Sequence, residues 1–282
     1  MKQKLCDLHT HSIFSDGTYS PEQIIDSAVK LGLSAVALCD HNTVDGLPRF
    51  LKAAEKHDIE AVAGAEFSVD YNGKELHLLG LFIDPKHFQT VTSLMNEVNL
   101  LKEKSNIELV DSLNSSGYAL NYRDIKNSTP NGKVNRAHIA TALTNAGYTF
   151  SVKEAFDTVL SPKAGHYKEP KRLTVYEVID FIRSVEALPI LAHPFINLTE
   201  DELDSFLPNA KQAGLAGIEA EYSLYDDDTR NKALILCQKH GLLCSGGSDF
   251  HGDTKPDIFL GRGKGDLAVP YDWFSKLKCA PI

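Results

Sequence analysis

The stretch from Asp7 to Thr18, DLHTHSIFSDGT, places two histidines and two aspartates within ten positions. Side chains alternate faces along an extended chain, so His9 and His11 point the same way if this segment is a strand. Two imidazoles on one face are half of a tetrahedral metal site, because neutral nitrogen ligands must converge on one cation. A lone His-x-His is more often surface decoration, so the rest of the chain has to decide. The same residue types recur downstream: Asp40 and His41 in ALCDHNT, Glu66 in GAEFS, His77 in HLLG, His193 in LAHP, and Asp249 with His251 in GSDFH. Together, His9, His11, Asp16, His41, Glu66, His77, His193, Asp249 and His251 offer nine imidazole and carboxylate donors, more than one ion needs. The mixture contains no cysteine and therefore suits zinc, manganese or iron better than a thiolate site. Two or three divalent ions sharing a bridging carboxylate is the economical expectation.

Such a set requires elements that bring distant segments to one place. The first part of the chain alternates short apolar runs with amphipathic ones. KLCDLHTH precedes SPEQIIDSAVKLGL, where Ser20 can cap and Pro21 occupies the first helical position. SAVALCDHNT reads as a buried strand, DGLPRFLKAAEKHD as a helix, and IEAVAGAEFSVDY as a strand that turns at Asn72-Gly73 into KELHLLGLFID. Asn-Gly between alternating runs is a strong hairpin signal. From about Pro85 to Pro170 the pattern becomes helical, and the strand and helix rhythm then returns through LPILAHP, LAGIEAEY and LLCSGGSDFHG. Repeated strand-helix units predict a parallel α/β sheet or barrel interrupted by a helical insertion. The boundaries are placed at 1–97 and 171–282 for the barrel and 98–170 for the insertion. In a parallel barrel the carboxyl ends of the strands share one rim, where chemistry collects. The donors above sit at such ends, whereas core histidines are usually solitary.

Composition narrows the partners. A hydrophobic share of 43% and a charged share of 24% are those of a globular protein. A formal charge of −9 disfavours sequence-independent binding to long nucleic acid, which neutralises many phosphates with Lys and Arg. Bound cations could still invert the local field for a small anionic substrate. No run is long and apolar enough to cross a membrane, and the amino terminus has no apolar signal core. The five cysteines show no paired short spacing, so reduced thiols and a cytoplasmic location are expected.

The motifs DLHTHSIFSDG, ALCDHNT, GAEFS, HLLG, LAHP and GSDFH, taken in this order, resemble those of the PHP (polymerase and histidinol phosphatase) metallophosphoesterases. The resemblance runs through both barrel segments. It implies a distorted (β/α)7 barrel with a trinuclear metal site of manganese, iron or zinc. By position, His9, His11, Glu66 and Asp249 would hold one ion, Asp16, His41 and His251 a second, and Glu66 would bridge to a third held by His77 and His193. Departures are small: Cys39 stands where the family commonly has Thr before the Asp-His pair, and AEFS replaces the commoner VEIS type. Neither removes a ligand.

The insertion is similar to that of the stand-alone branch acting on nucleotides, the nucleoside 3′,5′-bisphosphate phosphatases and related 5′-to-3′ exoribonucleases. That likeness implies that Arg136 and His138, in NRAHIATAL, approach the substrate phosphate. Positions two apart on a helix do not share a face, so both reach one ligand only from a helix start or turn, for which Asn131-Gly132 is suited. A capping His beside an exposed Arg is the plainer alternative. The segment PKAGHYKEPKR adds Lys163, His166, Lys168, Lys171 and Arg172, either a solvated basic loop or a lid over a phosphorylated substrate, with Lys168 as a substrate contact. The expected activity is hydrolysis of phosphate from a nucleoside bisphosphate or monophosphate by a metal-bridging hydroxide. Asp40 is expected to orient a ligand or move a proton. Trimming of short 5′-phosphorylated RNA, hydrolysis of histidinol phosphate, and a non-catalytic metal-stabilised accessory domain are the alternatives.

Overall fold

The computed structural model describes residues 4–129, 134–170 and 172–281. By the density of internal contacts the chain divides into two units, Met1–Leu94 with Arg172–Ile282, and Met95–Lys171.

The first unit is built on one sheet. Its strands are β1 (Leu5–Asp7), β2 (Ala35–Leu38), β3 (Glu60–Tyr71), β4 (Lys74–Leu81), β5 (Leu188–Ala192), β6 (Gly217–Tyr222), β7 (Leu243–Gly247) and the two-residue β8 (Val269–Pro270). They lie in the order β7-β6-β5-β4-β3-β2-β1-β8. The chain beyond β1 then joins the chain beyond β7: Leu8 N–H donates to Gly246 O (3.1 Å), Asp249 N–H to His9 O (2.8 Å) and His11 N–H to Phe250 O (2.9 Å). These bonds close the sheet into a barrel of seven strands, and β8 pairs antiparallel with β1 at Leu5 and Cys6. The sheet is not wholly parallel, because β4 runs against both β3 and β5. The reversal is encoded at Asn72-Gly73, whose φ values of 53° and 79° are both left-handed, as a two-residue hairpin turn of this twist demands.

Helices α1 (Pro21–Leu31), α2 (Leu47–Ala54), α7 (Val175–Ser184), α8 (Glu200–Ala213), α9 (Asp227–His240) and α10 (Tyr271–Lys278) belong to this unit. Their ends follow from local chemistry. Ser20 and Gln23 form a reciprocal capping box on α1 with Pro21 at its first turn, and Gly32 ends it at φ 73°. Thr174 with Glu177 and Thr199 with Glu202 do the same for α7 and α8. Cys6, Leu8, Ala35, Ala37, Val62, Leu79, Leu81, Leu188 and Ile190 form part of one apolar cluster within the sheet. On β3 and β4 the same face that contributes Val62, Leu79 and Leu81 to that cluster carries Glu66 and His77 further along, by strict alternation.

The second unit is helical, with α3 (Phe88–Ser115) leading into it, then α4 (Tyr122–Ser128), α5 (Arg136–Asn145) and α6 (Val152–Asp157). Leu109, Leu113, Ile125, Ile139, Leu143 and Ala155 make its own small core. No described helix of either unit is long and apolar enough to cross a membrane.

Candidate metal centre

The structure gathers all nine donors into one cluster. Position on the chain explains how. Residues His9 and His11 follow β1, His41 follows β2, Glu66 lies within β3 opposite Leu79, and His77 sits diagonally across on β4, opposite Ser68. Immediately after β5 comes His193, and after β7 come Asp249 and His251. Residues His193 (φ 28°) and Asp249 (φ 54°) both hold backbone conformations that are costly for side chains other than glycine. Strain of this kind persists where the surroundings over-determine it and concentrates at functional sites.

The donor atoms crowd one another. His9 Nε2 stands 3.0 Å from His11 Nε2, 3.3 Å from Glu66 Oε2 and 3.7 Å from Asp249 Oδ1. From His11 Nε2, Glu66 Oε2 lies at 3.3 Å and Asp249 Oδ1 at 3.1 Å. Four ligands held ~2.0–2.2 Å from a tetrahedral ion lie roughly 3.3–3.6 Å apart, so this set is spaced for a common cation. The tautomers agree. The Nδ1 of His9 faces Glu219 Oε1 at 3.0 Å and gives its proton there, leaving the Nε2 lone pair to face that of His11. Two such nitrogens at 3.0 Å repel unless a proton or a metal ion lies between them. His11 Nδ1, Glu66 Oε2 and His77 Nδ1 are buried with no hydrogen-bond partner among the described residues. Orphaned buried polar atoms of this kind call for an ion, so the residues fit a metal.

Glu66 is fully buried and divides its oxygens. Oε1 faces His77 Nδ1 (2.7 Å) and His193 Nε2 (3.2 Å), while Oε2 faces His9 and His11 (3.3 Å each) and His41 Nδ1 (2.9 Å). This is the disposition of a bridging carboxylate. His41 leans toward Glu66 more than toward Asp16, whose Oδ2 is 3.8 Å from its Nε2. Asp16 is the most open member and lies 3.2 Å from His251 Nε2. His9, His11, Glu66 and Asp249 thus crowd together, whereas His41 stands between the Asp16 and Glu66 sets.

Burial opposes charge throughout the cluster, and the partners decide which charges survive. For His9, Glu219 and Glu66 outweigh burial and hold its pKa well above the ordinary imidazole value. For His77, Glu66 outweighs burial and lifts it to about 10. His11 has burial and the neighbouring His251 and His41 acting together, which drive it down to about 3. Burial would neutralise Glu66, yet His41, His77 and His9 keep it ionised far below the usual carboxylate range. Carboxylates fixed in a dry site demand positive charge, which protons or divalent ions can supply.

Several participants escaped sequence reasoning. Besides holding His9, Glu219 accepts the backbone N–H of His193 (2.7 Å) through its other oxygen. Tyr222 Oη (2.9 Å) and Lys255 Nζ (2.7 Å) both donate to Asp249 Oδ2 and so aim Oδ1 at the imidazoles. Asp7 accepts from Ser248 N (2.8 Å), Ser248 Oγ (2.5 Å) and Gly261 N (2.7 Å), pinning the chain after β7 to β1. The oxygens of Asp40 are taken by Ser12 N (2.7 Å), Ser12 Oγ (2.6 Å) and Ser15 Oγ (2.6 Å), which places it under the His11 loop rather than among the donors.

In the helical unit, Asn135 caps α5, so Arg136 and His138 do stand at a helix start. His138 Nδ1 accepts the backbone N–H of Asn135 (3.1 Å), the capping geometry, and the Arg136 guanidinium lies 4.4 Å over the Tyr167 ring. Lys163 and Lys168 are exposed, and His166 Nδ1 is 3.0 Å from Ser112 Oγ. Arg172 instead pairs with Glu75 (2.9 Å) in the barrel unit. Asn131, Gly132 and Lys171 lie outside the described residues.

A family model described as PHP domain matches residues 7–168. A 5′-3′ exoribonuclease of Haemophilus influenzae is 30% identical, covering 88% of this chain and 90% of its own. A 3′,5′-nucleoside bisphosphate phosphatase of Chromobacterium violaceum is 27% identical, over 87% of this chain and 86% of its own. The crystal structure of a proposed metal-dependent phosphoesterase from Bifidobacterium adolescentis superimposes with a TM-score of 0.79 at 26% identity, covering 100% of this chain and 98% of that one.

Proposed function

The chain belongs to the PHP domain family and is a metal-dependent phosphoesterase, and on that premise we propose that it removes phosphate from small nucleotides at the cluster around Glu66. The observation that carries this reading is the bridging disposition of Glu66, with His77 and His193 on one oxygen and His9, His11 and His41 on the other. His9, His11, Asp16, His41, Glu66, His77, His193, Asp249 and His251 would hold two or three ions. When bound, such ions supply a water whose pKa is lowered toward ~7 and positive charge for the phosphoryl oxygens. The chain's own part is positional. Glu219 fixes the tautomer of His9, Tyr222 and Lys255 orient Asp249, and Asp40 holds the loop that carries His11.

Nucleotide substrates are supported by similarity along most of the chain to the bisphosphate phosphatase and the exoribonuclease. Arg136, His138 and Lys168 are proposed to contact the substrate phosphate, in which case Arg136→Ala should raise KM for a nucleotide at unchanged metal content. The exoribonuclease relative favours a second reading, 5′-to-3′ trimming of short RNA.

Phosphate release from adenosine 3′,5′-bisphosphate, AMP, histidinol phosphate and a 5′-phosphorylated RNA trinucleotide, each with added manganese, tests the assignment. Preference for the bisphosphate or AMP is expected, preference for the trinucleotide would select the second reading, and preference for histidinol phosphate would overturn both. Asp249→Ala should abolish turnover and lower metal content, and full activity in that variant would remove the cluster from the chemistry.

A further inference from the structure

A cavity of about 250 Å³ opens in the barrel unit beside the cluster, and Asp249 belongs to both. The hydroxyl of Tyr222 is bonded to Asp249 Oδ2 (2.9 Å), and its ring lies 5.1 Å from that of His193. The cavity thus adjoins the cluster through Asp249. Leu224, Pro256 and Ile258 give the wall an apolar character. Leu224 is 50% exposed, an apolar surface that a bound ring would remove from water. The volume lies just below the ~300–1,000 Å³ of ordinary ligand pockets, enough for one ring-bearing unit and not for a chain of them.

The polar wall groups sort themselves by what they already bind. Tyr222 and Lys255 are committed to Asp249, Ser223 Oγ to Ser248 O (2.6 Å) and Ser248 Oγ to Asp7 (2.5 Å). The side chains of Asp257 and Lys264 line the cavity, are exposed, and make no hydrogen bond or ion pair with a described residue. One carboxylate and one ammonium face the space here, the ammonium also acting on Asp266. A second phosphate would meet Asp257 and a cationic amine would meet Lys264, whereas sugar hydroxyls and ring nitrogens can use both as acceptor and donor.

We propose that this cavity seats the uncharged nucleoside part of the substrate, with its rings against Leu224 and Tyr222 and its hydrogen-bonding edge at Asp257 and Lys264. The inference rests on the phosphoesterase reading above, so the test separates the two. Saturation-transfer NMR on the zinc-loaded protein measures binding of adenosine, which carries no phosphate, and calorimetry measures inorganic phosphate separately. Adenosine should bind the natural protein and bind at least ~10-fold more weakly after Leu224→Trp, which fills the space from an exposed position, at a ΔΔG of ~1.4 kcal/mol. Asp257→Ala and Lys264→Ala, both at exposed positions, should each weaken it several-fold, and phosphate binding should stay unchanged in all three variants. Adenosine binding that is absent from the natural protein, or equal in all variants, would overturn the nucleoside subsite. Failure of phosphate to bind the zinc-loaded protein would instead overturn the reading of the cluster.

Discussion

His9 can present a lone pair to a cation because its other nitrogen is held by Glu219, so the competence of the centre depends on a residue that is not a donor to it. Glu219→Gln keeps the shape and removes the charge that fixes the tautomer. Metal affinity should fall roughly 10–100-fold, the usual cost of losing such a partner, as read by competition with a chelating dye. Unchanged affinity would mean that the His9 tautomer is set elsewhere. The nine donors could be found in the sequence because their types are unusual together and each lies near a strand end. Glu219 could not. In GIEAEY, Glu219 and Glu221 are two apart and would share a face, but the pairing with β7 shifts register between them. The irregularity sends Glu219 to His9 and His193 and leaves Glu221 to Arg230 at 3.2 Å. Period-two reasoning has no means of choosing between two such glutamates. Asp40 is the easier case: its place beside His41 marks it in the sequence, and Ser12 and Ser15 hold its oxygens in the structure.

At the level of elements, the strands and most helices were legible because apolar runs of strand length alternate with capped amphipathic ones. The Asn-Gly turn even marked the reversed strand that sets Glu66 against His77. The two-residue β8 and the helix α10 were not recognised, since a pair of residues carries no period and YDWFSKLK follows a loop without a preceding apolar strand. Closure of the barrel was equally hidden, because it depends on how near β7 can come to the chain after β1. Gly247 sets that distance: a Cβ there would stand 2.4 Å from His9 Cβ and 2.5 Å from His9 N. Both are far inside van der Waals contact, and both atoms belong to a proposed ligand. Gly247→Ala should destabilise the protein by ~1–3 kcal/mol in urea denaturation and also lower metal content. Gly73→Ala is the control, since its φ of 79° carries strain but nothing lies within 4 Å of the added carbon. It should cost about 1 kcal/mol with metal content intact. Equal metal loss in both variants would show that the effect is general loosening and not displacement of His9.

For the whole molecule, the cluster is a concentration of buried charge around the strand ends of the barrel, and its stability must depend on what meets that charge. Glu66 is fully buried and Asp249 nearly so, with burial opposing the ionised form of each while surrounding imidazoles favour it. In the absence of ions those imidazoles must carry protons to serve this purpose, and crowding limits how many can: His11 is driven to about 3 by burial and by its His251 and His41 neighbours. Divalent ions remove the conflict, since they bind unprotonated imidazoles and carboxylates together. A ligand that binds only the folded state stabilises it by ~2.7 kcal/mol at a hundred times its dissociation constant. At ~2–4 °C per kcal/mol for domains of this size, zinc should raise the unfolding midpoint by about 5–10 °C over the chelated protein. With two units in the chain a bulk helical signal would mix their transitions. The single tryptophan, Trp273 on α10, packs against the barrel core and therefore reports the barrel unit alone. A fluorescence midpoint that rises with zinc would tie the ions to the barrel's own stability. An unchanged midpoint would mean that protons already balance the buried carboxylates, and that ions bind only weakly beside the substrate.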